Sequence, residues 1–235
     1  MKFFVRLDFD GRLCYNGTRK IRKDRTDNDM SEITAILPQK KDASRCNIYL
    51  DGSFYCGMKL EVVLKNRLKA GQTVEISTLD ALQLESERAT ALDKAMTRLS
   101  SSMKTRRQIS DYLKSKGYVD AVVVYVLEKL EGYGFVDDEE YARQYTASAG
   151  KNKGRRLIAL ELQRKGVSAE DARVAVENMQ GEEEAALRVL QKYMRGREAD
   201  KETLYKAFRY LIGKGFEYDT AKSALTSWGD IDEES

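Results

Sequence analysis

The sequence predicts a mainly α-helical protein: tandem three-helix repeats in an elongated array, three units with a period of 49, preceded by a small α+β region that contains a β-hairpin. Three observations carry that class. Leu113-Lys-Ser-Lys-Gly117-Tyr118 recurs as Leu162-Gln-Arg-Lys-Gly166-Val167 and as Leu211-Ile-Gly-Lys-Gly215-Phe216, at a constant interval of 49 residues. The register extends beyond the motif, since Ile109, Ile158 and Ala207 align upstream of it and Leu127, Val176 and Leu225 downstream. A single proline among 235 residues argues against loop-rich β architecture.

Residues 1–29 form a basic extension, eight Lys and Arg against five Asp, without helical period. The expectation is a loose segment, or a native start at Met30. Asn47–Leu50, Asp51-Gly52 and Ser53–Cys56 then read as a hairpin with a two-residue turn. Ile33–Leu37 supplies a third strand. In that register Cys56 faces Asn47, with Cys46 as its diagonal neighbour, both free thiols. Leu60–Ala70 reads as a helix stopped at Gly71, and Leu79–Leu99 as a long helix leading to a disordered Ser100–Ser102.

Each repeat opens with a helix. Thr105-x-x-Gln108 fits a capping box ahead of the stripe Ile109, Tyr112, Leu113. Gly117, Gly166 and Gly215 are helix stops, where glycine takes the left-handed conformation and the next hydrophobe contacts the last turn. Second helices are predicted over Asp120–Leu130, Ser168–Met179 and Asp219–Trp228, and third helices over Asp138–Ser148 and Glu182–Met194. The acidic runs opening the third helices suit positive helix N-termini. The expected segments are thus the extension 1–29, the hairpin-plus-helix region 30–77, a connecting helix within 78–103, repeats over 104–149, 150–197 and 198–229, and an acidic tail over 230–235.

Composition narrows the chemistry. Without histidine there is no Ser-His or Cys-His nucleophile pair and no imidazole base. Cys14, Cys46 and Cys56 form no C-x-x-C pattern, and an odd, sparse count fits a reducing compartment. The longest apolar run, Ala121–Leu127, is far short of a membrane span, so a cytoplasmic protein is expected. Gly150–Gly154 and Gly132-Tyr-Gly134 lack the context of phosphate-binding loops and read as turns. The expectation is no catalytic residue, no metal site and no cofactor.

Charge is more informative. The formal net charge of +3 is matched by residues 1–29 alone, so any basic surface beyond Met30 comes from local segregation. Arg106/Arg107 and Arg155/Arg156 occupy equivalent repeat positions in the first turn of a helix, where cations oppose the macrodipole. With Lys151 and Lys153, they suit a polyanion or an acidic protein groove. Arg188, Lys192, Arg195 and Arg197 lie in a stretch without acids and add to that pattern.

Several segments resemble the RecX family of bacterial regulators of the RecA recombinase. Gly132-Tyr-Gly-Phe-Val-Asp-Asp-Glu-Glu-Tyr-Ala142 is similar to the signature of the family's first repeat, and Lys153–Val167 to that of its second. Arg45–Gly57 followed by Leu60–Gly71 resembles the N-terminal region of clostridial-type members. The likeness runs from Ser31 to Trp228; the third repeat matches less closely, and residues 1–29 match nothing in the family. The resemblance implies a non-enzymatic, monomeric, cytoplasmic regulator of DNA repair, recombination and the SOS response. It would bind the RecA nucleoprotein filament, protein plus single-stranded DNA, and limit strand exchange, ATP hydrolysis and co-protease activity. Arg106, Arg107, Lys151, Lys153, Arg155 and Arg156, with Arg188, Lys192 and Arg195, would face the filament's acidic surface or DNA phosphates. Weak direct DNA binding is expected beside the filament; an autonomous nucleic-acid-binding helical module and a helical scaffold for another protein are the alternatives.

Overall fold

The three glycine turns end their helices in the way the sequence requires. In a computed structural model, which describes residues 5–7, 13–15, 30–40 and 42–233, Gly117, Gly166 and Gly215 have φ of 87°, 101° and 89°. The amides of Tyr118, Val167 and Phe216 donate to the carbonyls of Leu113, Leu162 and Leu211 at 3.3, 3.1 and 3.3 Å, the six-to-one bond of a Schellman stop. Those three leucines are fully buried.

The N-terminal region is a four-stranded antiparallel sheet in the order β5-β4-β3-β6, from β3 (Met30–Gln39), β4 (Asp42–Leu50), β5 (Ser53–Lys59) and β6 (Thr73–Glu75). Helix α1 (Leu60–Lys65) and the start of α2 (Ile76–Leu99) cover it, burying Ile33, Ile48, Met58, Val62, Val63, Val74 and Leu79 in one core. The predicted hairpin forms, with Asp51 and Gly52 both at positive φ. Its register differs from the simple two-residue count. A bulge between Ile48 and Tyr49 places Cys56 opposite Ile48 and Cys46 opposite Met58. Both cysteines are buried thiols outside any disulfide. Helix α1 is shorter than Leu60–Ala70 because Arg67 turns to φ 51° and sends buried Leu68 back into the core, so Gly71 lies in a later turn ahead of β6, a strand missing from the sequence reading.

Helix α2 carries the sheet on one half and helices on the other. The Lys59 amide donates to buried Ser86 Oγ at 2.7 Å, and Arg45 Nη1 to Thr90 Oγ1 at 2.9 Å. Further along, Arg88, Lys94 and Arg98 lie over the rings of Tyr125, Tyr118 and Tyr112. Those rings belong to α3 (Arg106–Ser115), α4 (Asp120–Gly132) and the turn between them. Burial is the main reason that the Tyr118 hydroxyl is pushed up to about 12. Ser100 and Ser101, expected as disordered, close the end of α2 by bonding Thr97 and Arg98 carbonyls.

The remaining helices are α5 (Asp138–Ala149), α6 (Arg155–Lys165), α7 (Ala169–Glu177), α8 (Glu182–Met194), α9 (Lys201–Gly213) and α10 (Tyr218–Glu233). One core joins α5, α6 and α7 through Ala142, Ile158, Leu162, Val167, Ala172 and Val176. Another joins α8, α9 and α10 through Ala186, Leu190, Ala207, Leu211, Phe216 and Ala221. The packed units therefore begin one helix upstream of the frames 150–197 and 198–229. The repeated motif marks a turn in the middle of a unit, and the helix before it joins its own core. The expectation for 1–29 lies outside the described residues, apart from the strands β1 (Val5–Leu7) and β2 (Leu13–Tyr15), which pair antiparallel. That for 230–235 also falls partly outside them, although α10 continues past Trp228 to Glu233.

Because Leu162 is fully enclosed while Leu160 on the same helix is 44% exposed, Leu162→Ala should cost about 2–5 kcal/mol. Leu160→Ala should cost no more than about 0.5 kcal/mol in the same urea unfolding measurement.

Candidate functional site

A helix start leaves amide groups without intrahelical partners. Helix α6 starts at Gly154, which has no side chain to cap it, and its amides are met by the following unit. The Gly154 amide donates to Lys214 O at 3.0 Å, that of Arg155 to Glu182 Oε1 at 2.9 Å and that of Arg156 to Gly215 O at 3.2 Å. The positive end of α6 thus abuts the carbonyl end of α9, and the close approach needs glycine. A Cβ on Gly154 would fall well inside contact distance of Gly215 O.

The same joint occurs one repeat earlier. Thr105 stands where the sequence later has Gly154, and its buried Oγ1 donates at 2.6 Å to Lys165 O, the counterpart of Lys214 O. The predicted capping box also forms, with Gln108 N donating to Thr105 Oγ1 at 3.2 Å and Thr105 N to Gln108 Oε1 at 3.1 Å. The Arg106 amide donates to Asp138 Oδ1 at 2.8 Å, as that of Arg155 does to Glu182. In both joints an acid at the first residue of the next unit's first helix meets the incoming amide.

This geometry explains the first-turn arginines. Arg155 pairs with Glu182 Oε2 at 3.0 Å and donates from Nη2 to Met179 O at 2.8 Å, while Arg156 donates to Ile212 O at 3.0 Å. Their charge lies before the negative end of α9 and a carboxylate, so the joint compensates for their opposition to α6's own dipole. Arg107 lays its aliphatic stem against Gly166, leaving no room for a Cβ there. Lys153 pairs with Glu161 at 2.6 Å, and Tyr145 donates to the same carboxylate at 2.6 Å. Burial alone would raise the Glu161 carboxyl, but hydrogen bonds from Lys153 and Tyr145 prevail and hold it below its ordinary value. Burial first, then the bond to Glu161, raises the Tyr145 hydroxyl.

The other predicted residues are placed differently. Lys151, Arg188, Lys192 and Arg195 are exposed, and among the described residues none forms an ion pair. Arg188, Lys192 and Arg195 fall at i, i+4 and i+7 and share one face of α8 and its cap. The charge count missed two tyrosines beside them. Tyr193 and Tyr210 stack with centroids 4.6 Å apart, and Arg197 and Lys214 lie over their outer neighbourhoods at 4.0 and 5.2 Å from the respective centroids. The legible signal was an aromatic followed four residues later by a cation, on two helices of one unit. Among the described residues no group of acids or cysteines could hold a metal ion, and no helix is long and apolar enough to cross a membrane.

Four family profiles match the chain in tandem. They are the regulatory protein RecX N-terminal domain over residues 31–75 and the first, second and third RecX three-helix domains over 91–130, 137–176 and 181–225. The regulatory protein RecX of Bacillus licheniformis is 30% identical over 202 residues, covering 83% of this chain and 77% of that one. That of Clostridium tetani is also 30% identical, over 83% of this chain and 94% of its own. A crystal structure of regulatory protein RecX superposes with a TM-score of 0.61 at 26% identity, covering 82% of this chain and 97% of its own. The second and third matched three-helix segments have the frame of the two packed helical cores.

Gly154→Ala should open the joint between α6 and α9 at a cost of about 1–3 kcal/mol. Hydrogen exchange should quicken at the Arg156 amide and stay unchanged at the amides of the β3–β4 ladder. Folding lowers the Glu161 carboxyl, so its stabilisation is complete above the unfolded value and is lost as pH falls through the folded one. Stability should therefore decline on acidification below about 4.5, and Glu161→Gln should flatten that decline in chemical unfolding followed across the acid range.

Proposed function

The chain belongs to the RecX family, and from that premise we propose that it is a non-enzymatic regulator that binds the RecA–DNA filament and inhibits its recombinase, ATPase and co-protease activities. The observation that carries this reading is the tandem of four matched domains, whose helical units are joined by a repeated contact. A filament is itself a repeat, and a tandem array offers it a succession of similar surfaces. The composition supplies no histidine-based nucleophile–base pair, which supports regulation by binding. RecA as partner places the protein in the cytoplasm, in DNA repair and the SOS response.

The basic residues divide in this reading. Arg155 and Arg156 hold the units together and Lys153 is paired with Glu161 inside its own unit, whereas Lys151, Arg188, Lys192 and Arg195 present uncompensated charge to an acidic surface or to DNA phosphates. Arg106 and Arg107 are exposed residues of the earlier joint, where the Arg106 amide meets Asp138 and the Arg107 stem lies against Gly166.

The test is RecA ATPase on single-stranded DNA, with RecA from the same organism, titrated with this protein. Inhibition is the expected result, together with slower co-proteolytic cleavage of LexA. Unchanged turnover at a stoichiometric excess, without co-sedimentation on the filament, would leave a scaffold for another protein as the better description. The triple variant Lys151→Glu, Arg188→Glu, Arg195→Glu should inhibit at least about tenfold less well while unfolding at the wild-type temperature, since loss of roughly 0.5–1 kcal/mol per exposed contact suffices.

A further inference from the structure

Against the unit formed by α8, α9 and α10 lies a groove of about 530 Å³, lined by Val189, Lys192, Tyr193, Arg197, Tyr210 and Lys214 and by Asn152 from the turn between α5 and α6. Its volume lies within the range of roughly 300–1,000 Å³ usual for small-ligand sites. Three of the lining residues are cations and none is an acid. Among the described residues Lys192, Arg197 and Lys214 have no carboxylate partner, and Arg197 instead donates to the Tyr193 carbonyl. The centre of the groove is a column of cation, ring, ring and cation. Arg197 covers Tyr193, Tyr193 stacks on Tyr210 at 28°, and Lys214 lies 5.2 Å from the Tyr210 centroid.

We infer that this groove binds a short stretch of single-stranded nucleic acid, a base against the tyrosine column and its phosphates on Lys192 and Lys214. The inference rests on the filament reading for its occupant, since the filament is built on such a strand. It deepens that reading by assigning the strand a site on this chain. Stacked aromatic faces flanked by cations are what sequence-tolerant binding of single strands requires. An acidic peptide would use the cations but has no need of the stacked rings, so the rings favour nucleic acid. Lys214 now occupies ring surface by cation–π attraction alone. A base that takes the ring frees its ammonium for the adjoining phosphate.

The repeat supplies an internal comparison. The residue one period before Tyr210 is Glu161, which pairs with Lys153 and accepts from Tyr145. The corresponding surface of the preceding unit is therefore neutralised and carries a carboxylate that would repel phosphate. Binding is assigned to the last unit alone.

The experiment is fluorescence anisotropy of a labelled oligothymidylate with the full-length protein and no RecA, repeated over a salt series. Saturable binding is expected, with a log–log salt slope of about −1.4 for two neutralised phosphates. Lys192→Glu with Lys214→Glu should weaken it at least about tenfold, and Tyr210→Leu roughly 5- to 150-fold. Arg164→Glu, an exposed cation on α6, should change it less than about twofold. Lys192 is exposed, so its single charge reversal tests the site without disturbing the tyrosine stack. No binding, equal binding by the groove variants and Arg164→Glu, or displacement by polyglutamate but not by unlabelled oligonucleotide would overturn the inference. RecA ATPase inhibition by the same wild-type protein separates the two readings. Inhibition without oligonucleotide binding sinks the groove alone, and binding without inhibition sinks the filament reading alone.

Discussion

An uncapped helix start meeting the finished end of another helix is the contact on which the tandem arrangement depends. Gly154 leaves the first amides of α6 open, and Lys214 O, Gly215 O and Glu182 receive them. Each such bond is worth about 0.5–1.5 kcal/mol net when made and more when a buried donor is left unmade. The contact therefore couples neighbours: the start of α6 takes its partners from the next unit and not from a side chain of its own. The Schellman turn serves twice, stopping its own helix and presenting to the neighbour carbonyls that the helix cannot use.

That double use explains what was legible in the sequence. A turn needing glycine, a buried leucine before it and a hydrophobe after it leaves a local pattern, and three copies at one interval made the period plain. The capping pairs Thr105/Gln108 and Ser168/Asp171 were visible for the same reason, their partners being three residues away. The frame of the units was not visible, because which helix closes which core is decided by contacts far apart in sequence, such as Ala142 with Ile158 and Val176. The short α1, the bulge at Ile48/Tyr49 and strand β6 were hidden likewise, each set by tertiary packing of the sheet.

The arginines illustrate how one chemistry serves two ends. A cation in the first turn looks unfavourable when the helix is considered alone, and a binding role then seems the natural explanation. In the folded chain Arg155 and Arg156 have carboxylate and carbonyl partners across the joint. The charge left over lies elsewhere, on Lys151 and along one face of α8. Spacing identifies basic residues, but only three-dimensional neighbours show which of them are already engaged. The Tyr193–Tyr210 stack escaped notice for the converse reason, since neither residue is charged and the pair is formed between two helices.

Helix α9 is capped from within its own helix, as α3 is by Thr105 and as α6 is not. The residue one period after Gly154 is Thr203, and its amide is capped from within the same helix by Asp200 Oδ1 at 2.7 Å, an acid whose pKa is lowered mainly by that backbone bond. Its start accordingly needs no following turn to receive it. The architecture thus has a grammar of insertion: a further unit carrying an open start and a receiving turn could be spliced between α7 and α8 and find both its neighbours ready.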